Sequence, residues 1–149
     1  MSGGHRMSLA ARQAELVEAL TSGKPVPPGF DPDRVNAARV ALLRKRAGEV
    51  ARQWPMLASA LGDGWKREFT AWARTRPTQG SLRDGWDFAR DLRADLPAAA
   101  GEELAEREAR WIYDGASAPR PRRGPAVRSA SGTVVVHIAG RVRVMRRSR

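Results

Sequence analysis

Residues 131–149 read SGTVVVHIAGRVRVMRRSR, valine and arginine in alternation without one acidic side chain. Alternation at a period of two predicts strands, and the Ala-Gly pair at the centre predicts the turn of a β-hairpin. The turn length decides which side chains share a face, because a slip of one residue moves every side chain across the ribbon. A two-residue turn at Ala139-Gly140 pairs Ile138 with Arg141 and Val136 with Arg143, mixing apolar with charged. A three-residue turn, Ala139 to Arg141, pairs Ile138 with Val142 and Val136 with Val144. Val134, Val136, Ile138, Val142 and Val144 then form one apolar face, and Val135, His137, Arg143 and Met145 the other. The segregated pattern makes the odd-length turn the expectation.

Upstream of this stretch the chain reads as helix. Ser8 is a candidate N-cap for a first helix striped by Leu9, Gln13, Leu16, Val17 and Leu20. The proline-rich connector GKPVPPGF (23–30) cannot be helical. Asp31 caps a second helix with Pro32 at its first position. Pro55 breaks that helix and starts a short third one, which Gly62 ends. Trp65, Phe69 and Trp72 share one face of a fourth. A fifth starts at the Ser81/Asp84 pair, a weak capping box, and carries Leu82, Trp86, Ala89, Leu92 and Leu96. A sixth, over residues 99–114, carries Leu104, Ala105, Glu108, Trp111 and Ile112. Residues 116–131, ASAPRPRRGPAVRSAS, read as a Pro/Arg linker. The expected fold is mainly α, an orthogonal bundle of five or six helices over residues 1–115. The linker and a basic β-hairpin appendage at 132–149 follow.

The 149-residue chain has a formal net charge of +11, unevenly spread. Residues 1–115 hold 18 Lys+Arg and all 16 Asp+Glu, whereas residues 116–149 hold nine Arg and no acid. Such a tail suits nucleic acid, an acidic peptide or an acidic protein face. Arg outnumbers Lys 24 to three, the skew expected of a GC-rich genome. Absence of cysteine excludes a disulfide framework, thiolate zinc sites and cysteine nucleophiles. His5 and His137 are too far apart for a local metal motif. No apolar run reaches signal-peptide or transmembrane length, which predicts a cytoplasmic protein with no membrane partner.

The chain offers no Gly-rich phosphate loop and no Ser-His-Asp set, so no catalytic or metal-binding residue and no cofactor is assigned. Its carboxylates mostly alternate with Arg at helical spacing, the pattern of a solvated ion-paired face. Glu108 departs from it. Its place between Leu104 and Trp111 calls for an Arg partner from another helix. Trp54, Trp65, Phe69, Trp72, Trp86 and Trp111, spread over several helices, suit a shared core better than a base-stacking groove.

LLRKRAGEVARQW (42–54) and the Arg tail are the nucleic-acid candidates, but no polar recognition helix follows a tight turn. From about Arg39 to Asp114 the order of features resembles a known family instead: the helical N-terminal domain of partner proteins in methanobactin- and bufferin-type peptide biosynthesis, once labelled DNA-binding. LLRKRAGEVARQWPMLASALGDGWKREFTAWARTRPTQGSL is similar to its basic helix, aromatic-Pro break, Leu-Gly turn and aromatic helix. DGWDFARDL and ELAEREARW are similar to its next helices, which places Glu108 at the family's Glu, and LVEALTSG fits its first. A short actinobacterial branch of the family fits the composition. The chain departs in a shorter C-terminal region and in Leu43 to Arg46, where the family has a tyrosine and an asparagine.

The resemblance implies a non-catalytic subunit, a heterodimer partner of a TIM-barrel enzyme carrying two or three iron ions. That enzyme oxidatively remodels cysteines of a ribosomally made precursor peptide, and the iron belongs to the enzyme. On this reading Val134, Val136, Ile138, Val142 and Val144 dock the partner, while Arg141, Arg143, Arg146 and Arg147 face an acidic peptide segment. The alternative is a DNA-binding regulator using the basic tail and basic helix, and a third reading is a homodimerisation module. The expectation for nucleic acid is weak, nonspecific binding.

Overall fold

A computed structural model describes residues 8–130 and 132–146, and Arg147 lies outside them. The protein is mostly helical, with small antiparallel sheets at its C-terminal side. Helix α1 spans Leu9–Ser22. Ser8 Oγ accepts the Ala11 N–H at 3.2 Å, and Gly23 ends the helix with φ of 68°. Of the expected apolar stripe, Leu9 and Val17 remain exposed; α1 packs on α2, and Ala19 is its fully buried residue. Helix α2 spans Pro32–Gln53, capped by Asp31, whose carboxylate accepts the Asp33 N–H at 2.9 Å.

Trp54 and Pro55 form the joint to α3 (Pro55–Leu61). A short 3-10 turn at Gly62–Gly64 leads into α4 (Trp65–Ala73), and α5 (Ser81–Asp91) follows. Their aromatic side chains meet in one core. Trp65 stacks on Phe69 with ring centres 5.1 Å apart, and Phe88 meets both edge-on. Trp54 and Trp86 make an edge contact at 5.8 Å. Buried indoles need acceptors. Trp54 Nε1 donates to the Leu82 carbonyl at 2.9 Å and Trp65 Nε1 to that of Ala47 at 3.2 Å. Gly85 is what lets α5 come this close, since a Cβ there would overlap the Trp54 indole.

Helix α6 (Ala98–Arg110) closes the helical layer. It stops four residues earlier than its sequence pattern suggests, and the chain continues extended as β1 (Trp111–Ile112). Trp111, expected in the core, is 40% exposed where the helix gives way to this two-residue strand, and Tyr113, just beyond the strand, is buried instead, its ring 5.1 Å from that of Trp86.

The segment expected to be a linker is also structured. Strand β2 (Arg120–Pro121) pairs with β1, and β3 (Ala126–Ala130) forms the outer strand of a three-stranded antiparallel sheet with β4 (Thr133–Ile138) and β5 (Arg141–Arg146). This sheet is no free appendage. Strands β3 and β4 pack on α6, with Val135 and Val142 against Ala105 and Ala109.

The β4–β5 turn has two residues, correcting the expected three. Ala139 has φ of 51° and Gly140 φ of 76°, the type I′ geometry whose twist matches that of the strands. Ile138 pairs with Arg141, Val136 with Arg143 and Val135 with Val144. A three-residue turn suits a lone hairpin, which needs a segregated apolar face. Once α6 covers one face and β3 pairs with β4, that need disappears. Ala139 holds a left-handed conformation that costs a residue with a Cβ roughly 1 kcal/mol, and Asn tolerates it better. Ala139→Asn should therefore raise stability by about 0.5–1 kcal/mol in urea unfolding. A loss of stability would contradict the two-residue turn.

Candidate functional site

The two-residue register gives the C-terminal sheet two unlike faces. Thr133, Val135 and His137 of β4 turn toward α6 and are buried, as is Ala126 of β3. Val142 and Val144, paired with His137 and Val135, lie on this inner face. Val134, Val136 and Ile138 point away from α6. Val127 and Ser129 of β3 and Arg141, Arg143 and Met145 of β5 join them across the ladder. On this outer face Val127, Ile138 and Met145 are exposed at 54–60%, and Val134 and Val136 are half-buried.

The five valine and isoleucine positions expected to form one docking face are thus divided, three outside and two inside. Of the expected peptide-facing arginines, the three that are described are divided as well. Arg141 and Arg143 are exposed on the outer face and have no ion-pair or hydrogen-bond partner among the described residues. Arg146 stands opposite Thr133 and reaches back to α6, where its guanidinium grips Glu102 at 3.0 and 3.1 Å. It fastens the end of β5 rather than facing a ligand. The far edge of β5 pairs with no strand among the described residues.

Several polar groups elsewhere are closed on one another. Glu108 lies buried on α6 and meets Arg90 of α5 at 2.8 Å and Arg93 at 3.5 Å. Arg90 also donates to the Tyr113 carbonyl at 2.9 Å, tying α5 to the chain beyond α6. Between α4 and α5 lies an open cleft of about 470 Å³, lined in part by Trp72, Arg76, Asp87 and Asp91. Asp91 accepts from Trp72 Nε1 at 2.7 Å and from Arg76 at 3.3 Å. Asp87 accepts the Tyr113 hydroxyl at 2.9 Å, and burial pushes its carboxyl above the usual range. Among the described residues no group of three His, Cys, Asp or Glu comes together to hold a metal ion, and no helix is long and apolar enough to cross a membrane.

The expected Ser81/Asp84 capping box does not form: Gly80 is the N-cap of α5, without a side-chain capping bond. Asp84 is instead buried at the start of α5, where it accepts from Arg46 Nε at 2.7 Å, the Thr78 hydroxyl at 2.6 Å and the Gln79 N–H at 3.0 Å. Arg46 belongs to the basic run Arg44-Lys45-Arg46, but its spacing from Val50 and Trp54, one turn and two turns on, was the signal that it points inward. Val127 and Met145 of the outer face needed the third strand and the correct turn to be recognised.

The fold is that of a mostly helical protein ending in a cationic three-stranded sheet. A family model described as SCO6045-like, C-terminal domain, matches residues 10–94, from α1 through α5, and the chain belongs to that family. A UPF0276 protein of Streptomyces avermitilis is 39% identical over 131 residues, covering 86% of this chain and 26% of that protein. A transketolase of Mycobacterium leprae is 32% identical over 103 residues, covering 62% of this chain and 13% of that protein. The chain thus spans about a quarter of the length of the first relative and about an eighth of the second. No solved structure matches it.

Breaking a buried ion pair leaves one charge uncompensated and costs about 3–5 kcal/mol, whereas an exposed substitution stays within about 0.5 kcal/mol. Arg46→Met should therefore destabilise the protein by an amount of that order in urea unfolding. Lys45→Met, which removes only an exposed contact with Glu49 at 3.9 Å, should be near neutral. Equal effects would return Arg46 to the solvent-facing basic surface.

Proposed function

We propose that this chain is a non-catalytic accessory subunit. It binds a TIM-barrel enzyme carrying several iron ions and helps present a ribosomally made precursor peptide for cysteine modification. The observation that carries this reading is the S. avermitilis relative, in which a segment like this chain makes up about a quarter of one longer polypeptide. Joining two parts in one chain holds them at high effective concentration, which serves parts that work in contact. The ordered helical motifs between Arg39 and Asp114, which resemble the partner proteins of peptide-modifying iron enzymes, supply the kind of partner. In this reading the helices form the orthogonal bundle of that family, and the iron resides in the enzyme.

The precursor adds as an extended strand to the edge of β5 that no described strand pairs, where main-chain hydrogen bonds supply affinity. The positive field of the C-terminal arginines favours an acidic segment and speeds its arrival more than it tightens the complex.

Reconstitution tests the assignment. The iron enzyme is incubated with its precursor peptide with and without this chain, and modification is followed by the mass of the peptide. Modification should fall by about tenfold or more without the chain, equivalent to at least about 1.4 kcal/mol, and the chain alone should leave the peptide unchanged. An enzyme equally active without it would overturn the accessory role.

A further inference from the structure

The outer face of the sheet asks for an occupant. Val127, Val134, Val136, Ile138 and Met145 form its apolar centre, and Arg141 and Arg143 stand at its β5 side without partners among the described residues. The strands beneath are held by α6 and by the Arg146–Glu102 pair, so the face is preformed. An apolar centre with an arginine margin is the composition of a protein interface. Resting on the accessory-subunit reading, we infer that this outer face docks the enzyme partner, through an apolar patch on that partner margined by carboxylates.

The chemistry of the face argues against other occupants. A second copy laid on the same face would bring the two Arg141/Arg143 pairs toward each other, and residues 115–149 hold no acid to separate them. A nucleic acid would satisfy the arginines and leave five apolar side chains against phosphate or water. A partner with carboxylates around an apolar patch satisfies both. Of the two valines assigned to docking from sequence that lie on the inner side, Val142 packs against the α6 cluster and Val144 is exposed.

Two double variants of the full chain, titrated against the iron enzyme, test this. Val136→Asp with Ile138→Asp should weaken Kd by about 30-fold or more, because it places charge at the centre of the interface. Arg141→Glu with Arg143→Glu alters only exposed side chains and so keeps the fold. It should slow association by about tenfold at low salt, the difference shrinking as salt is raised. Far-UV circular dichroism and urea unfolding verify that both variants are folded, and if the aspartates unfold the sheet, the charge-reversal pair decides alone. Wild-type binding with both folded variants unchanged would overturn the docking face and leave the accessory role standing. Failure of the wild type to bind the enzyme would remove both. A wild-type dimer in sedimentation that the Asp variants dissociate would assign the face to a second copy and overturn the inference.

Discussion

Burial of α6 on two sides is the constraint on which the rest of the structure depends. Ala100 and Leu104 of this helix enter the aromatic core, while Ala105 and Ala109 meet Val135 of the sheet. A helix presents such different faces because residues four apart stack and adjacent residues diverge. The small side chains toward the sheet let β4 approach closely. A three-stranded sheet with one covered face is stable where an isolated hairpin is marginal. Without α6 the outer face would have no fixed shape.

Electrostatics reinforce the same arrangement. All the acids lie before residue 115, and the C-terminal segment carries only arginine. Packing the two together sends part of the positive charge to internal use: Arg146 pairs with Glu102. Arg122 donates its backbone N–H to Arg110 and lies near Arg128, and burial, then that neighbouring cation, pushes its guanidinium below its ordinary range. Arg141 and Arg143 remain outside this accounting and give the outer face its character. The same logic on the helical side turns Arg46, part of a basic run in the sequence, into a clamp on Asp84, and Arg90 is the partner from another helix that Glu108 calls for.

The helices were legible because their signals are local. Ser8 and Asp31 cap where their side chains can accept backbone N–H groups, Pro32 and Pro55 start helices, and Trp65, Phe69 and Trp72 repeat at helical spacing. The C-terminal third was less legible because its signals are tertiary. Residues 126–130, AVRSA, carry a single β-branched residue and become a strand by pairing with β4. Trp111 looked like the continuation of α6, but the backbone turns extended there and Tyr113 takes the inner place. Ala139-Gly140 carried a hairpin signal that was overruled by a demand for one apolar face, a demand valid only for a hairpin with nothing behind it. Val134, Val136 and Ile138 were placed together correctly, since residues of one strand two apart share a face whatever the turn. Val142 and Val144 depended on the turn and went to the other side.

Native-state hydrogen exchange on the full chain tests the dependence of the sheet on α6 most directly. Cooperative units open together and reveal themselves by amides that converge on one opening free energy as denaturant rises. If α6 is the wall shared by both halves, amides of Leu104–Ala109 and of the β4 residues Val134–His137 should merge into one isotherm. Exchange of β4 at a far lower opening free energy than α6, with no merging, would mean that the sheet is a detachable arm and not a platform held by the helix.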